Sequence, residues 1–355
     1  MEATPTWIER VERACSLEPY TPPGDEPCIH LDLNESPFPP PVDVVEEAYG
    51  LLLRANRYPR RRLLEELVGE LSAYTGAPSE SIVVASGGDS IINAVMALMQ
   101  GLRGAAPQYC FSMYPRLAAV YGLDLERIPM RVEDDEWVID VGSLEEAAER
   151  SDVVILDRPN NPTGGLLASR RLLERLVSEH DDTLFVFDEA YYEFMEEDGL
   201  QGLVEYGNVV VVRTMSKAFG LAGMRVGYAV APAMLARALR NILYPFPVTA
   251  PSLAMATAML RLRGVVEGRV SRIREWREEL SSALRGAGVR VFRSHSNFVL
   301  ADFSPVSGSP VEELRRMGVC VRQAPIGRTY VRISVGRPEE NEELLGAVRR
   351  LAGSG

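Results

Sequence analysis

Lys217 is the only lysine in this chain; lysine and arginine together number 38, and the other 37 are arginine. A guanidinium stays protonated at any working pH, so it neither attacks a carbonyl nor shuttles a proton. An amine does both once its surroundings depress its pKa, and it then forms a Schiff base with an aldehyde. The neighbours of Lys217 suit that chemistry. It ends the run Arg213-Thr214-Met215-Ser216-Lys217, and Arg225 follows eight residues later. The hydroxyls of Thr214 and Ser216 and the Arg225 guanidinium are good ligands for a phosphate.

Three further segments carry chemistry. Ser86-Gly87-Gly88-Asp89-Ser90 stands between an apolar run and a helical pattern. Its glycines allow a tight turn, and the free amides of the helix start, with the positive end of the helix dipole, favour an anion. Arg158-Pro159-Asn160-Asn161-Pro162-Thr163-Gly164-Gly165 is a stiff, irregular loop that fixes side-chain amides at a strand end. In Phe187-Asp188-Glu189-Ala190-Tyr191 an apolar strand ends on a carboxylate that requires a cationic partner if buried. A pyridinium nitrogen is such a partner, and Tyr191 can donate a hydrogen bond from the same face. A phosphate, a ring nitrogen and an aldehyde each find a partner in this set. Together they describe pyridoxal 5′-phosphate (PLP).

These residues need a scaffold that brings strand ends together. Short apolar runs rich in β-branched residues occur at 81–85, 152–156, 183–187 and 208–212, with helical patterns at 90–100, 143–150 and 169–179 between them. Such alternation predicts a mainly parallel sheet covered by helices on both faces, with ligands at the strand C-termini. The strand at 225–231 follows a connection too short for a crossover helix, which predicts an antiparallel strand. Residues 1–42 are proline-rich and read as an extended arm. After 246 the texture changes to helices near 251–261 and 265–286 and strands near 289–292, 297–302 and 330–335. The expected division is an arm (1–42), a large cofactor domain (43–245) and a small C-terminal α/β domain (246–355), a length that suits about two cores.

Composition narrows the function classes. A net charge of −12 argues against nucleic-acid binding. No run approaches 18 apolar residues, and the acidic N-terminus does not read as a secretory signal, so a cytoplasmic protein without membrane association is expected. Cys15, Cys28, Cys110 and Cys320 show no metal-ligand spacing and read as four free thiols in a reducing compartment. His30, His180 and His295 have no ligand partner at helical or loop spacing, so no metal is expected.

The motifs LEPYTPPG, LDLNESPFPP, SGGDS, FSMYPRLA, RPNNPTGG, FDEAYYEF, TMSKAFGLAGMR, SNFVLADF and YVRISVG run almost end to end. In this set the chain resembles the fold-type-I PLP enzymes and, within them, the histidinol-phosphate aminotransferases. The resemblance implies that Lys217 holds PLP as an imine and moves the substrate proton, and that Asp188 keeps the ring nitrogen protonated. It implies that Tyr191 and Asn161 hydrogen-bond the ring's phenolic oxygen and that Phe111 stacks on the ring. Gly88, Asp89, Thr214, Ser216 and Arg225 would form the phosphate cup. Tyr58 would reach the cofactor of a neighbouring subunit, which implies a homodimer. Arg332, assisted by Arg322 and Tyr20, would bind the anionic end of histidinol phosphate or of glutamate. The chain departs from the family pattern at Arg158, in the Ser86–Ser90 turn and at Asn34-Glu35-Ser36, and these leave substrate choice open. An aromatic amino-acid aminotransferase, a phosphothreonine decarboxylase and a non-enzymatic ligand sensor on the same fold are the alternatives.

Overall fold

The computed structural model describes residues 7–19, 24, 27–304 and 308–352. Its centre is a seven-stranded sheet: β1 (Ile82–Ala85), β2 (Arg103–Pro107), β3 (Asp124–Ile128), β4 (Val153–Asp157), β5 (Leu184–Asp188), β6 (Val209–Thr214) and β7 (Gly227–Val230), in the order β1-β7-β6-β5-β4-β2-β3. Strands β6, β5, β4, β2 and β3 pair in parallel, and β7 runs antiparallel to both β1 and β6. The twelve-residue link before β7 contains only the 3-10 turn Ala222–Met224 and no helix to cross over the sheet, so β7 turns back antiparallel.

The central strands are continuous apolar runs because both faces are covered. Val153, Val154, Ile155, Leu156, Phe185 and Phe187 are all buried. One face packs on the helices Gly87–Leu98 and Met113–Tyr121, the other on Val141–Arg150 and Arg170–Glu179. Each such side chain contributes roughly 1.5–3 kcal/mol by leaving water, which fixes the strand ends where the chemistry lies. Asp140 and Ser169 cap the two helices of the second face, their side chains accepting from the Ser143 and Leu172 amides.

A separate four-stranded antiparallel sheet, ordered Arg290–Val291, Phe298–Asp302, Tyr330–Ser334, Arg322–Gln323, packs on the helices Arg263–Gly286 and Pro338–Ala352. The helix Ala250–Arg261 is buried along nearly its whole length and shares a core with the helices Val42–Leu52 and Arg61–Thr75. Strands β2 and β3 escaped the sequence reading for a physical reason. Arg-Gly-Ala-Ala-Pro lacks β-branched residues, and β3 is an edge strand with a mostly polar surface.

The arm is sewn to the C-terminal part. Ile29–His30 pairs in parallel with Val319–Cys320, and Cys28 is disulfide-bonded to Cys320 across 292 residues of sequence. This corrects the expectation of four free thiols: only Cys15, exposed, and Cys110, buried, are free. Spacing could not reveal the pair, because strand pairing alone brings the two sulfurs together. His30 lies beside Cys28, with Nε2 3.7 Å from Sγ. With both sulfurs bonded to each other, that cluster offers an imidazole and no thiolate.

Candidate active site

At the C-terminal ends of β4, β5 and β6 the structure opens a cavity of about 420 Å³, within the range of small-molecule sites. Twelve of the fourteen residues singled out from sequence line it. Tyr58 does not; it is 75% exposed and stacks on Phe246 with ring centroids 4.5 Å apart. Tyr20 lies outside the described residues.

Asp188 is buried at the end of β5. Its Oδ2 accepts from the Tyr114 hydroxyl at 2.7 Å and its Oδ1 from the Ala190 amide at 3.0 Å. Both donors are neutral. Burial therefore dominates and raises the Asp188 pKa to about 6, although the Tyr114 hydrogen bond opposes the shift. A cation brought against this carboxylate would hold it ionised.

Lys217 follows β6, and its Nζ donates to the Leu33 carbonyl at 2.9 Å. Burial beneath the arm lowers its pKa to about 8, helped by the Arg332 guanidinium. A useful fraction of this amine is therefore neutral near neutral pH, which the 37 guanidiniums cannot offer.

The phosphate-cup candidates converge on the start of the helix Gly87–Leu98. Gly87 has φ +77°, and a Cβ there would lie 2.5 Å from Arg225 Nη2. Only glycine lets the arginine cross the helix start so closely. Arg225 itself adopts φ +51° and donates to Asp89 Oδ2 at 3.2 Å. Thr214 Oγ1 donates to Ser216 Oγ at 2.9 Å, so the two hydroxyls face one spot.

On the opposite wall Arg332 Nη1 donates to Asn161 Oδ1 at 2.6 Å, and its Nη2 donates to the Asp32 carbonyl at 2.5 Å. Arg322 is its register partner on the adjacent strand, so two guanidiniums line this side. Phe111 lines the cavity from the loop after β2.

The structure also brings in groups that sequence reasoning passed over. Asn34, in a left-handed conformation at φ +53°, donates from Nδ2 to the Tyr191 hydroxyl at 3.0 Å. Its amide donates to Ser334 Oγ at 2.8 Å, so the arm joins Tyr191 to the four-stranded sheet. Tyr114 sits in the FSMYPRLA motif three residues after Phe111, a helical-turn spacing that signals a shared site. Asp157 ends β4 as Asp188 ends β5, an apolar run closed by a carboxylate, and that repeat was legible.

Two arginines are committed to other partners. Arg158, which sequence left open as a substrate determinant, is 1% exposed, bonds Glu197 and the Ala168 carbonyl, and does not line the cavity. The Arg213 guanidinium forks onto Glu189 Oε2 at 2.7 and 2.9 Å and lies 3.6 Å above the Tyr192 ring centre. Both hold loops in place.

This geometry agrees with comparison to known proteins. The profile of aminotransferase class I and II matches residues 26–348. A histidinol-phosphate aminotransferase of Sulfurisphaera tokodaii is 35% identical over 320 residues, 89% of this chain and 88% of that protein. One from Thermococcus kodakarensis is 35% identical over 326 residues, 90% and 91% of the two chains. The crystal structure of histidinol-phosphate aminotransferase from Sinorhizobium meliloti, in complex with pyridoxal-5′-phosphate, shares the fold with a TM-score of 0.85 at 24% identity, covering 99% of both chains. Matched by that profile over residues 26–348 and 35% identical to these relatives, the chain belongs to the class I and II aminotransferases.

Proposed function

We propose that this chain is a PLP-dependent aminotransferase that interconverts histidinol phosphate plus 2-oxoglutarate and imidazole-acetol phosphate plus glutamate in histidine biosynthesis. The observation that carries the reading is the convergence of Lys217 Nζ, the Asp188 carboxylate, the Gly87–Asp89 helix start and the Arg332 guanidinium on one cavity. The relatives named above supply the substrate class.

The residues fit PLP. Asp188, buried with only neutral donors, suits a protonated ring nitrogen. The helix start, Thr214, Ser216 and Arg225 suit its phosphate, and Phe111 offers a ring face. When bound, PLP supplies an electrophilic carbon and an electron sink. Lys217 Nζ would hold the cofactor and would move the proton at the substrate Cα. Asp188 keeps the proton on the ring nitrogen. Tyr191 and Asn161 would hydrogen-bond the ring's phenolic oxygen, and Asn34, donating to the Tyr191 hydroxyl, orients that tyrosine. Arg332, with Arg322 and Tyr20, receives the phosphate of one substrate or the carboxylate of the other, since a planar guanidinium forks onto either anion.

The division into an arm (1–42), a cofactor domain (43–245) and a small domain (246–355) is part of this reading; the separate four-stranded sheet supports it. So is a homodimer, in which Tyr58 reaches the neighbouring site. Val42, Val45, Tyr49 and Leu52 form an exposed stripe along one helix, and Tyr58, Tyr244 and Phe246 are exposed as well. Exposed apolar side chains grouped in this way support such an interface. Among the described residues no helix is long and apolar enough to cross a membrane; a cytoplasmic location is part of this proposal and rests on the biosynthetic role.

The test is glutamate release from 2-oxoglutarate with histidinol phosphate, phenylalanine or tyrosine as donor, beside carbon dioxide release from O-phosphothreonine. Fast turnover is expected only with histidinol phosphate. Lys217→Arg should lower it on the order of 10⁴-fold or more, the scale of losing a reacting nucleophile. Preference for an aromatic amino acid, or decarboxylation, refutes the substrate assignment.

A further inference from the structure

The cavity holds a second buried carboxylate that the proposed chemistry does not use. Asp157, the last residue of β4, is 3% exposed and stands in register with Asp188 across the strand pair. Both of its oxygens accept from N–H donors of two loops. Oδ2 accepts from the Phe111 amide at 3.2 Å and the Asn161 amide at 2.9 Å, and Oδ1 accepts from Asn160 Nδ2 at 2.8 Å. The Asn160 amide group continues the strap, donating to the Tyr109 carbonyl at 2.9 Å and accepting from the Thr163 amide at 3.1 Å.

The loop after β2 carries Phe111, and the loop after β4 carries Asn161. A single carboxylate thus joins the backbone of Phe111, which would face one side of the ring, to that of Asn161, which would meet its phenolic edge. We propose that Asp157 is a positioning residue for the cofactor, fixing Phe111 and Asn161 relative to each other and to Asp188. The inference rests on the PLP reading above.

The chemistry explains why a carboxylate is required. Three donors converge on two oxygens, and only an acceptor-only group satisfies them all. An asparagine would turn its own NH₂ toward at least one of those donors. A buried carboxylate also costs desolvation. Burial raises the Asp157 pKa to about 7, the Asn161 and Asn160 hydrogen bonds oppose the rise, and Asp188 adds to it. A purely apolar residue would escape that cost but would orphan three N–H groups at the loop bases.

The experiment compares Asp157→Asn and Asp157→Ser with the parent. Serine keeps an acceptor and introduces no competing amide, so it guards against a variant that merely misfolds. PLP dissociation, pH titration of the visible absorbance of the bound cofactor, and kcat and KM are measured, with thermal unfolding of the cofactor-free protein alongside. Expected are PLP binding weakened about tenfold, the scale of one hydrogen bond to a charged group, a displaced absorbance titration, and kcat reduced up to about 100-fold with KM for the amino donor little changed. PLP affinity and titration like the parent's overturn the proposal. So does a lowered unfolding temperature without any spectral change, which would make Asp157 a structural residue only. Failure of the parent itself to acquire a visible band with PLP would instead sink the cofactor reading, so the two failures are distinguishable.

Discussion

At the scale of single residues, environment turns ordinary side chains into reagents. Lys217 and Asp188 are shifted in opposite senses by one cause: burial disfavours the charged form of each, lowering the amine to about 8 and raising the carboxyl to about 6. The carboxylate shift has a consequence for stability. A raised folded-state pKa makes a contribution that is fully present below the ordinary carboxylate range near pH 4 and lost as pH rises through about 6. Cofactor-free Asp188→Asn removes that dependence. Its thermal midpoint is expected to gain on the parent by a few degrees between about pH 4 and 7, corresponding to at most about 3 kcal/mol. A constant gap across that window contradicts a raised Asp188. In the loaded enzyme the same change should cost roughly 10²–10³-fold in kcat, the usual loss when a key electrostatic group is deleted.

At the scale of elements, the site is assembled from strand ends, one helix start and an arm returning from far away in sequence. Leu33 and Asn34 touch Lys217 and Tyr191 only because Ile29–His30 lies along Val319–Cys320 and the disulfide clasps that pair. Closing so long a loop restricts the unfolded chain, by roughly 6 kcal/mol in the chain-entropy view. Cys28→Ser is therefore expected to lower the thermal midpoint by several degrees and to raise KM for PLP-dependent turnover, because the arm over Lys217 loosens. The parent should show the same loss when reduced, and the variant none. Equal midpoints for oxidised parent and variant would falsify the clasp.

At the scale of the whole molecule, the proposed dimer would cover the exposed apolar stripe and Tyr58. A two-fold dimer buries the same patch on both subunits and lets each complete the other's site. Tyr58→Ala should weaken PLP binding in a site whose other residues are intact. Mixing and reassociating Tyr58→Ala with Lys217→Ala should then restore activity to about a quarter of the parent's, since half the dimers are mixed and each holds one complete site. No recovery on reassociation, or a monomer by sedimentation, contradicts the shared site.

The chemistry expected of the site was legible in local spacing. A lone amine among guanidiniums, apolar strands closed by Asp188, a glycine turn before a helix and the Asn160-Asn161 loop are local patterns, and local patterns follow from spacing. The sequence by itself determined the parallel core as well, because strands buried on both faces must be continuously apolar. Tertiary structure decided what depends on distant segments meeting. It paired Cys28 with Cys320, laid Asn34 on Tyr191, set Asp157 beside Asp188, and turned Arg158 away from the cavity toward Glu197. The physical reason is that strand register and burial fix these contacts, and neither can be read from the identity of the residues on one side alone.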